Sequence, residues 1–390
     1  MRKNDYRLLV AGRHRSAARL RAAQTNRLGL SLLAALLGVS GAALANSEWQ
    51  ACAALSGDAT SRLACFDHWA RQQSAASASA PAMATPSPPP AVDIRLSDEQ
   101  GCRDTRHTDL ARFWELEATS TCDPFTIRGY RPISLSLITS DSVNTLPTSG
   151  NPLNNATQAL PYRNTETRIQ LSVRTKLAQG LLTQGDPVRR DSLWFGYSQQ
   201  SYWQLFNGGL SRPFRTTDHE PEIVYVYPTD VPLPGGWRLR YSGIGAVHQS
   251  NGQSLPYSRS WNRAYLMTGM ERGKDWRVQA RAWARIPEKR TNDDNPEISN
   301  TIGRAELATY WHPAGGQDTV GFVWRHSLRS QAKGSLRLEW MRPLGESTRL
   351  FDSAGGLRLH TQLFSGYGDS LIDYNRRRTV FSVGLSLVDF

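Results

Sequence analysis

The stretch WRVQARAWARI (276–286) decides the fold, because its side chains alternate between two classes. Along an extended chain successive side chains point to opposite faces, so every second residue shares a face. One face collects Trp276, Val278, Ala280, Ala282, Ala284 and Ile286, and the other collects Arg277, Gln279, Arg281, Trp283 and Arg285. This pattern predicts a β-strand with one apolar face and one arginine-rich face.

Segments with the same texture recur from about residue 125 to the end of the sequence, between polar breaks rich in Gly and Pro. We predict twelve strands, at 126–139, 165–178, 190–201, 220–229, 236–249, 260–270, 275–286, 300–312, 317–327, 333–342, 355–365 and 379–389. An even number is what a closed antiparallel barrel requires. Alternation does not identify the lipid-facing side of 236–249, since both of its faces mix small, apolar and polar residues.

Two features favour a membrane barrel over a soluble β-sandwich, which also alternates. Long charged side chains share the polar faces, as expected for a wet lumen. Many of the twelve tryptophans lie near segment ends, as expected for aromatic girdles at the lipid interfaces; they include Trp194, Trp237, Trp261, Trp276 and Trp311. We therefore predict an all-β protein, a twelve-stranded antiparallel transmembrane β-barrel over 125–390, with a short helical, disulfide-bearing N-terminal extension.

The N-terminal 45 residues resemble a secretory signal peptide. Eight Lys/Arg and one acid fall in residues 1–27, and the run LGLSLLAALLGVSGAALA (28–45) is uncharged and ends in small residues. This order predicts cleavage before Asn46, with a transmembrane anchor as the alternative. The leader holds +7 of the formal net charge of +12, which leaves +5 for the remainder. So mild a balance gives no reason to expect nucleic-acid binding.

Three short regions separate the leader from the barrel. Residues 46–74 are predicted to form a helical periplasmic extension, 75–95 an Ala/Ser/Pro-rich linker, and 96–124 a short helical segment with a helix over Thr108–Glu117. Secretion places the chain in an oxidising compartment, so its four cysteines are expected to form disulfides. Three pairings are open; we favour sequence neighbours, Cys52 with Cys65 and Cys102 with Cys122.

The candidate chemistry lies in HQSNGQSLPYSRSWNR (248–263). His248 and Ser250 are two residues apart, so a strand places both on one face, and Asn262 on the next strand could hold the histidine. A nucleophile, a base and a group that orients the base are the parts of an acyl-transfer site. A pair of this kind on a strand is more often structural than catalytic, so the rest of the chain has to decide.

The block 248–263 resembles the active-site motif of the outer membrane phospholipase A family, HxSNG followed by SRSWNR. Further stretches that resemble the family occur in the same order: YSQQ (197–200), PFR (213–215) with EP (220–221), DDNP (293–296) and SGYGDSLIDYN (365–375). The resemblance covers about 125–390. It implies a calcium-dependent, dimeric, twelve-stranded barrel of the outer membrane of Gram-negative bacteria that hydrolyses phospholipid acyl esters.

The resemblance also assigns roles to residues of this chain. It implies that Ser250 is the nucleophile, His248 the general base and Asn262 the residue that holds His248, with His248 and Ser250 facing outward at the membrane surface. The backbone N–H of Gly252 and a calcium-held water would meet the oxyanion. Calcium (Ca2+) ligands would come from Gln253, Ser258 and Asp294, with Ser211 supplied by the other subunit of a homodimer.

The chain departs from the family pattern at two positions near the metal. Gln253 stands where an arginine is usual, a change of little weight because that ligand is a carbonyl oxygen. Leu255 stands where an aspartate is expected, which puts a calcium site independent of the dimer in doubt. We expect phospholipase A1 and A2 activity on membrane glycerophospholipids and lysophospholipids; the alternative is a catalytically silent porin or structural barrel on the same scaffold.

Overall fold

The computed structural model describes residues 48–55, 57–78, 101–313, 317–345 and 356–387. The chain divides into two units, residues 1–94 and 95–390. In the first unit, α1 (Glu48–Ala53) and α2 (Ala59–Ala78) are joined by a Cys52–Cys65 disulfide, as expected. The helix α2 includes 75–78, the start of the predicted linker; residues 79–95 and the predicted signal peptide lie outside the described residues. No helix within the described ranges is long and apolar enough to span a membrane.

The second unit is a closed antiparallel barrel. Within its described residues the strands are β1 (Ile127–Gly129), β2 (Ile133–Ser140), β3 (Thr165–Gln179), β4 (Ser192–Trp203), β5 (Thr216–Leu233), β6 (Trp237–Ser250), β7 (Ser260–Arg272), β8 (Trp276–Ile286), β9 (Ala305–Trp311), β10 (Thr319–His326), β11 (Gly334–Pro343), β12 (Leu357–Gly366) and β13 (Arg378–Leu387). The strands from β2 to β13 pair in sequence order, and β13 pairs with β2 to close a ring of twelve. The predicted fold class is confirmed.

Small departures from the predicted elements have local causes. The first predicted strand, 126–139, is two strands, because β1 leaves the ring order and pairs with the far end of β3. Among the described residues the helices of this unit are α3 (Asp109–Trp114) and α4 (Ile298–Thr301), with 3₁₀ turns at Gly101–Arg103, Ala118–Ser120, Pro152–Asn154, Pro234–Gly236 and Leu371–Asp373. The helix α3 is capped by Thr108 and ends where Glu115 turns left-handed (φ 52°), so it is shorter than the predicted helix. Cys102 and Cys122 form the second expected disulfide.

The barrel wall is apolar outside and charged inside. Exposed apolar side chains occur at alternating positions, among them Leu135, Leu137, Ile223, Ile244, Leu266, Phe322, Leu338, Phe381, Val383 and Leu385. The alternate positions are buried and charged, among them Arg168, Arg174, Lys176, Glu222, Arg240, Arg277 and Glu339. This is the inverse of a soluble sandwich and matches a lipid-facing wall around a polar interior. In β8 this arrangement confirms the prediction of one apolar face and one arginine-rich face.

Residues 101–124 fill the end of the barrel opposite Ser250. Leu110, Phe113 and Trp114 pack in one buried cluster with inward-facing side chains of the strands. Glu115 is buried among cations: its carboxylate lies 2.6 Å from Lys176 Nζ and 2.9 Å from an Arg128 nitrogen. The predicted helical segment is thus an integral plug of the barrel.

Removing the Glu115 carboxylate should destabilise the barrel strongly. Glu115→Ala removes the buried carboxylate that Lys176 and Arg128 share, so we expect a loss of about 3–5 kcal/mol in the free energy of unfolding. Denaturant unfolding of the refolded protein measures it. Asp104→Ala, which breaks an exposed pair with Arg106, should change the unfolding midpoint little. Equal effects of the two variants would contradict the role of Glu115.

Two of the tryptophans expected in the aromatic girdles point inward instead. Trp194 packs edge-on against Trp114 in the plug, at 5.9 Å between ring centroids, and Trp261 is fully buried. A position near a strand end does not determine which face of the strand a residue is on. Both tryptophans occupy positions whose side chains point into the barrel, where they pack on arginine side chains. One of these is Arg263, whose guanidinium lies 4.1 Å from the centroid of the Trp261 ring. Trp276 and Trp311 stack on neighbouring strands at 5.5 Å.

A β-bulge explains why the faces of β6 could not be predicted from alternation. The pairing of β6 with β7 shifts register between Leu239 and Tyr241, and both Arg240 and Tyr241 are buried. An extra residue in one strand switches the face of everything beyond it. Beyond the bulge Ile244 and His248 lie on the outward face.

Candidate functional site

His248 and Asn262 form a hydrogen-bonded pair on the outer wall. They are directly opposite each other on β6 and β7, and His248 Nδ1 lies 2.9 Å from Asn262 Oδ1. Because the asparagine oxygen can only accept, the neutral imidazole that fits this contact carries its proton on Nδ1 and has Nε2 as the acceptor. His248 is exposed and Asn262 is half-buried. The structure therefore places two of the three residues predicted for acyl transfer in direct contact with each other.

Ser250 is the last residue of β6 and follows His248 on the same face. It lies in register with Ser260 of β7 on one side and with His219 of β5 on the other, and it is half-buried. His219 Nδ1 lies 2.7 Å from the Tyr197 hydroxyl of the YSQQ stretch. Sequence reasoning missed His219, because only the β5–β6 register brings it beside Ser250.

The turn after Ser250 is built around a buried asparagine. Asn251 Oδ1 accepts from the backbone N–H of Arg259 at 2.9 Å, and its Nδ2 donates to the Tyr257 carbonyl at 2.9 Å. Gly252 has φ +62°, a left-handed conformation that side chains rarely adopt. The glycine and the asparagine together fix the direction of the backbone immediately beyond Ser250.

Arg259, another residue that sequence reasoning missed, fastens this turn to the neighbouring loop. Its guanidinium is fully buried and donates to the carbonyl oxygens of Thr148, Asn154 and Ser258 at 3.1, 3.0 and 2.7 Å. The signal in the sequence was its place inside the SRSWNR motif, which says nothing about its partners. The turn that follows Ser250 is thus tied to the neighbouring loop by buried hydrogen bonds.

Two of the four predicted calcium ligands meet at the end of this turn. The Ser258 hydroxyl donates to Asp294 Oδ2 at 2.7 Å, and the Ser260 hydroxyl donates to the same oxygen at 3.2 Å. Gln253 lies on the same turn and donates from its Nε2 to the Arg215 carbonyl at 3.0 Å. Ser211 lies apart on the β4–β5 loop, where its carbonyl accepts from Trp203 Nε1 at 2.8 Å.

The chemistry of these groups suits calcium, with one carboxylate among them. Calcium takes six to eight oxygens from carboxylates, carbonyls and hydroxyl or water oxygens. Asp294 supplies a carboxylate and Ser258 a hydroxyl and a carbonyl, while Leu255, at the other departure from the family pattern, is 57% exposed. The described residues contain no group of three or more His, Cys, Asp or Glu that could hold a metal. The oxygens around Asp294 are nevertheless of the kind that calcium prefers.

Glu288, on the loop after β8, is a further neighbour that sequence reasoning missed. Asn262 Nδ2 donates to Glu288 Oε1 at 3.0 Å. Burial raises the pKa of the Glu288 carboxyl, and Arg285, 3.6 Å away, opposes that effect. No sequence signal marks it, because it lies 26 residues from Asn262 on a loop whose path is set by tertiary contacts.

This fold and this site define a class of protein: a closed membrane-type barrel that carries a serine, a histidine and an amide on its outer wall. The sequence model of the family described as "Phospholipase A1" matches residues 110–387. The chain belongs to the phospholipase A1 family, a family of ester hydrolases.

Relatives and solved structures agree with this membership. A "Putative phospholipase A1" of Neisseria meningitidis serogroup B is 35% identical over 303 residues, 76% of this chain and 74% of the relative. The phospholipase A1 of Escherichia coli K12 is 36% identical over 229 residues, 58% of this chain and 71% of the relative. The solved outer membrane phospholipase A from Escherichia coli has a TM-score of 0.58 and 32% identity, covering 69% of this chain and 94% of its own. A Salmonella typhi outer membrane phospholipase, solved as a dimer with bound calcium, has a TM-score of 0.57, 32% identity and the same coverage.

Proposed function

We propose that this chain is a calcium-dependent phospholipase of the Gram-negative outer membrane. It hydrolyses acyl esters of glycerophospholipids and lysophospholipids, with both A1 and A2 activity, and acts as a homodimer. The observation that carries the proposal is the His248–Asn262 pair at 2.9 Å on the outward face of the wall, two residues from Ser250. The same face carries Ile244, 55% exposed, and Leu266, 64% exposed, so the reactive side chains lie above an apolar belt where membrane lipid would contact them.

In the proposed mechanism Ser250 is the nucleophile. His248 Nε2 takes the proton of the serine hydroxyl while Oγ attacks the ester carbonyl, and the protonated imidazole then gives that proton to the leaving glycerol oxygen. An acyl-serine and a lysophospholipid result. Water, deprotonated by His248, attacks the acyl-serine, which releases the fatty acid and restores the Ser250 hydroxyl.

Asn262 and Gly252 support these steps without exchanging protons. Asn262 accepts the Nδ1 proton of His248, which fixes the tautomer in which Nε2 is the base. A neutral amide stabilises the imidazolium less than a carboxylate does. The backbone N–H of Gly252, whose direction is fixed by its left-handed conformation, would donate to the carbonyl oxygen as its negative charge develops.

Calcium would be held by the Ser258 and Asp294 oxygens and the Gln253 carbonyl, with Ser211 from a second copy. When bound it would supply positive charge that stabilises the developing oxyanion. The proposal is supported by the oxygen-only donor set around Asp294 and by the calcium-bound dimer among the solved relatives.

Fatty-acid release from detergent-dispersed phospholipid by the purified, refolded protein tests the proposal. We expect release with calcium and none with a chelator, from both the sn-1 and sn-2 positions of substrates labelled at one chain. A folded barrel that releases no fatty acid in either condition would leave the catalytically silent barrel as the function.

Replacing Asn262 by alanine should slow hydrolysis without abolishing it. His248 keeps its own chemistry and loses the group that holds its tautomer, so we expect kcat to fall by about ten- to a hundredfold. Initial rates at saturating calcium measure this. A total loss, accompanied by loss of the folded barrel on unheated gels, would instead assign Asn262 to folding.

A further inference from the structure

We propose that Glu288 is a positioning residue of the site, which orients and polarises the Asn262 amide so that this neutral group holds His248. The inference rests on the proposed function and deepens it. It adds to the serine, histidine and asparagine a carboxylate placed one hydrogen bond further from the imidazole.

The first step of the argument is the direction of the amide. Asn262 has one accepting end and one donating end, and rotation by half a turn would exchange them. Glu288 Oε1 lies 3.0 Å from Nδ2, and an ionised carboxylate can only accept. The carboxylate therefore keeps Nδ2 towards itself and Oδ1 towards His248 Nδ1, at 2.9 Å. Without it, the flipped amide would present a donor to the imidazole and favour the wrong tautomer.

The second step is the strength of the hydrogen bond to His248. An amide that donates from nitrogen to an anion shifts electron density towards its oxygen, so linked hydrogen bonds strengthen one another. Oδ1 then stabilises the imidazolium that forms during acyl transfer better than an isolated amide does. The effect needs no contact between Glu288 and the substrate.

The third step is what holds Glu288 in place. Its side chain is 18% exposed, and Arg285, which also pairs with Asp293 at 2.6 Å, lies 3.6 Å from its second carboxylate oxygen. The loop between β8 and α4 thus carries an anchored carboxylate to the edge of the site. At that edge the carboxylate is within hydrogen-bond distance of the Asn262 amide nitrogen.

Single substitutions give the first test, by fatty-acid release at saturating calcium. Glu288→Ala should lower kcat by about tenfold with little change in KM. Glu288→Gln keeps an accepting oxygen for Nδ2 and should retain more activity than Glu288→Ala. Asp275→Asn removes an exposed carboxylate on the β7–β8 turn at the opposite end of the barrel, and it should match the parent.

A reversal of sign in the Asn262→Asp background is the decisive test. There a carboxylate at position 262 faces His248 directly, and Glu288 becomes a second carboxylate beside it. The two carboxylates then compete with each other for one proton. Glu288→Gln should therefore raise kcat in Asn262→Asp while lowering it in the parent. A residue that only supports the fold of the loop would lower activity in both backgrounds, and that result would overturn the proposal.

Two controls keep this inference separate from the function on which it rests. If the parent releases no fatty acid, the proposed function fails; if the parent is active and the Glu288 variants equal it, only this inference fails. The calcium concentration for half-maximal activity should be the same in Glu288→Gln and the parent. If excess calcium restores Glu288→Gln to the parent rate, Glu288 acts through the metal and the proposal is wrong.

Discussion

Replacing Ser250 by alanine should reduce fatty-acid release to background, a fall of about four orders of magnitude or more. No acyl-enzyme can form without the hydroxyl, and the base and oxyanion donors that remain supply only a small part of the rate. The expected loss is in kcat, measured by release of labelled fatty acid from detergent-dispersed phospholipid.

The matched control for Ser250→Ala is a serine on the following turn. Ser254 is exposed, and only its backbone carbonyl takes part in the turn, accepting from the N–H groups of Tyr257 and Ser258. Ser254→Ala should keep parental activity. Both variants should migrate as folded, heat-modifiable barrels on gels. A Ser250→Ala variant that retains most of its activity would mean that the nucleophile is another residue.

The fold was predictable because the wall of a membrane barrel repeats one simple rule. β8 alternates without interruption, so its arginine face and its alanine face could be assigned from letters alone. Where the backbone departs from a regular strand, alternation no longer predicts which face a residue is on. The bulge at Leu239–Tyr241 in β6 moves Arg240 inside, and no pattern of side chains marks that extra residue.

The plug was only partly predictable, because it depends on contacts between distant segments. The helix at Asp109–Trp114 could be expected from its own sequence. The burial of Glu115 against Lys176, 61 residues away, could not. Trp194 was placed at the lipid interface by its position near a strand end, whereas the aromatic plug offers it an apolar partner inside the barrel.

The site separates in the same way into local and distant parts. His248 and Ser250 share a face because they are two residues apart, and Asn262 follows from the short connection between β6 and β7. Ser258 and Asp294 meet, at 2.7 Å, only because the loop after β8 folds back over that connection. Glu288 and His219 belong to this second class, so sequence reasoning found the groups that we propose to react and missed the side chains beside them.

Dependence of activity on a second copy of the chain is the other large effect that we expect. One chain offers Asp294 as the carboxylate beside Ser258, and Leu255 has no side-chain oxygen. In a monomer calcium would lack ligands, while in a dimer the partner's Ser211 would complete the shell. Specific activity should therefore fall by at least about tenfold on dilution into detergent, as dimers dissociate by mass action, and return after covalent cross-linking. Sedimentation at the same protein concentrations gives the dimer fraction for comparison.

Mixing two damaged variants tests this arrangement without reliance on dilution. Ser250→Ala lacks the proposed nucleophile, and Ser211→Ala lacks the hydroxyl that Ser211 would offer if it binds the partner's calcium through its side chain, so each alone should be weak. In a mixed dimer the Ser211→Ala chain keeps its own Ser250 and meets an intact Ser211 on its partner, which restores one complete site. With random pairing, half of the dimers carry one such site, and activity should recover to about a quarter of the parent.

The Ser254→Ala chain mixed with Ser250→Ala should show simple dilution of activity. A cross-link-free monomer with full calcium-dependent turnover, or a mixture no more active than its parts, would contradict the shared site while leaving the proposed hydrolysis untouched.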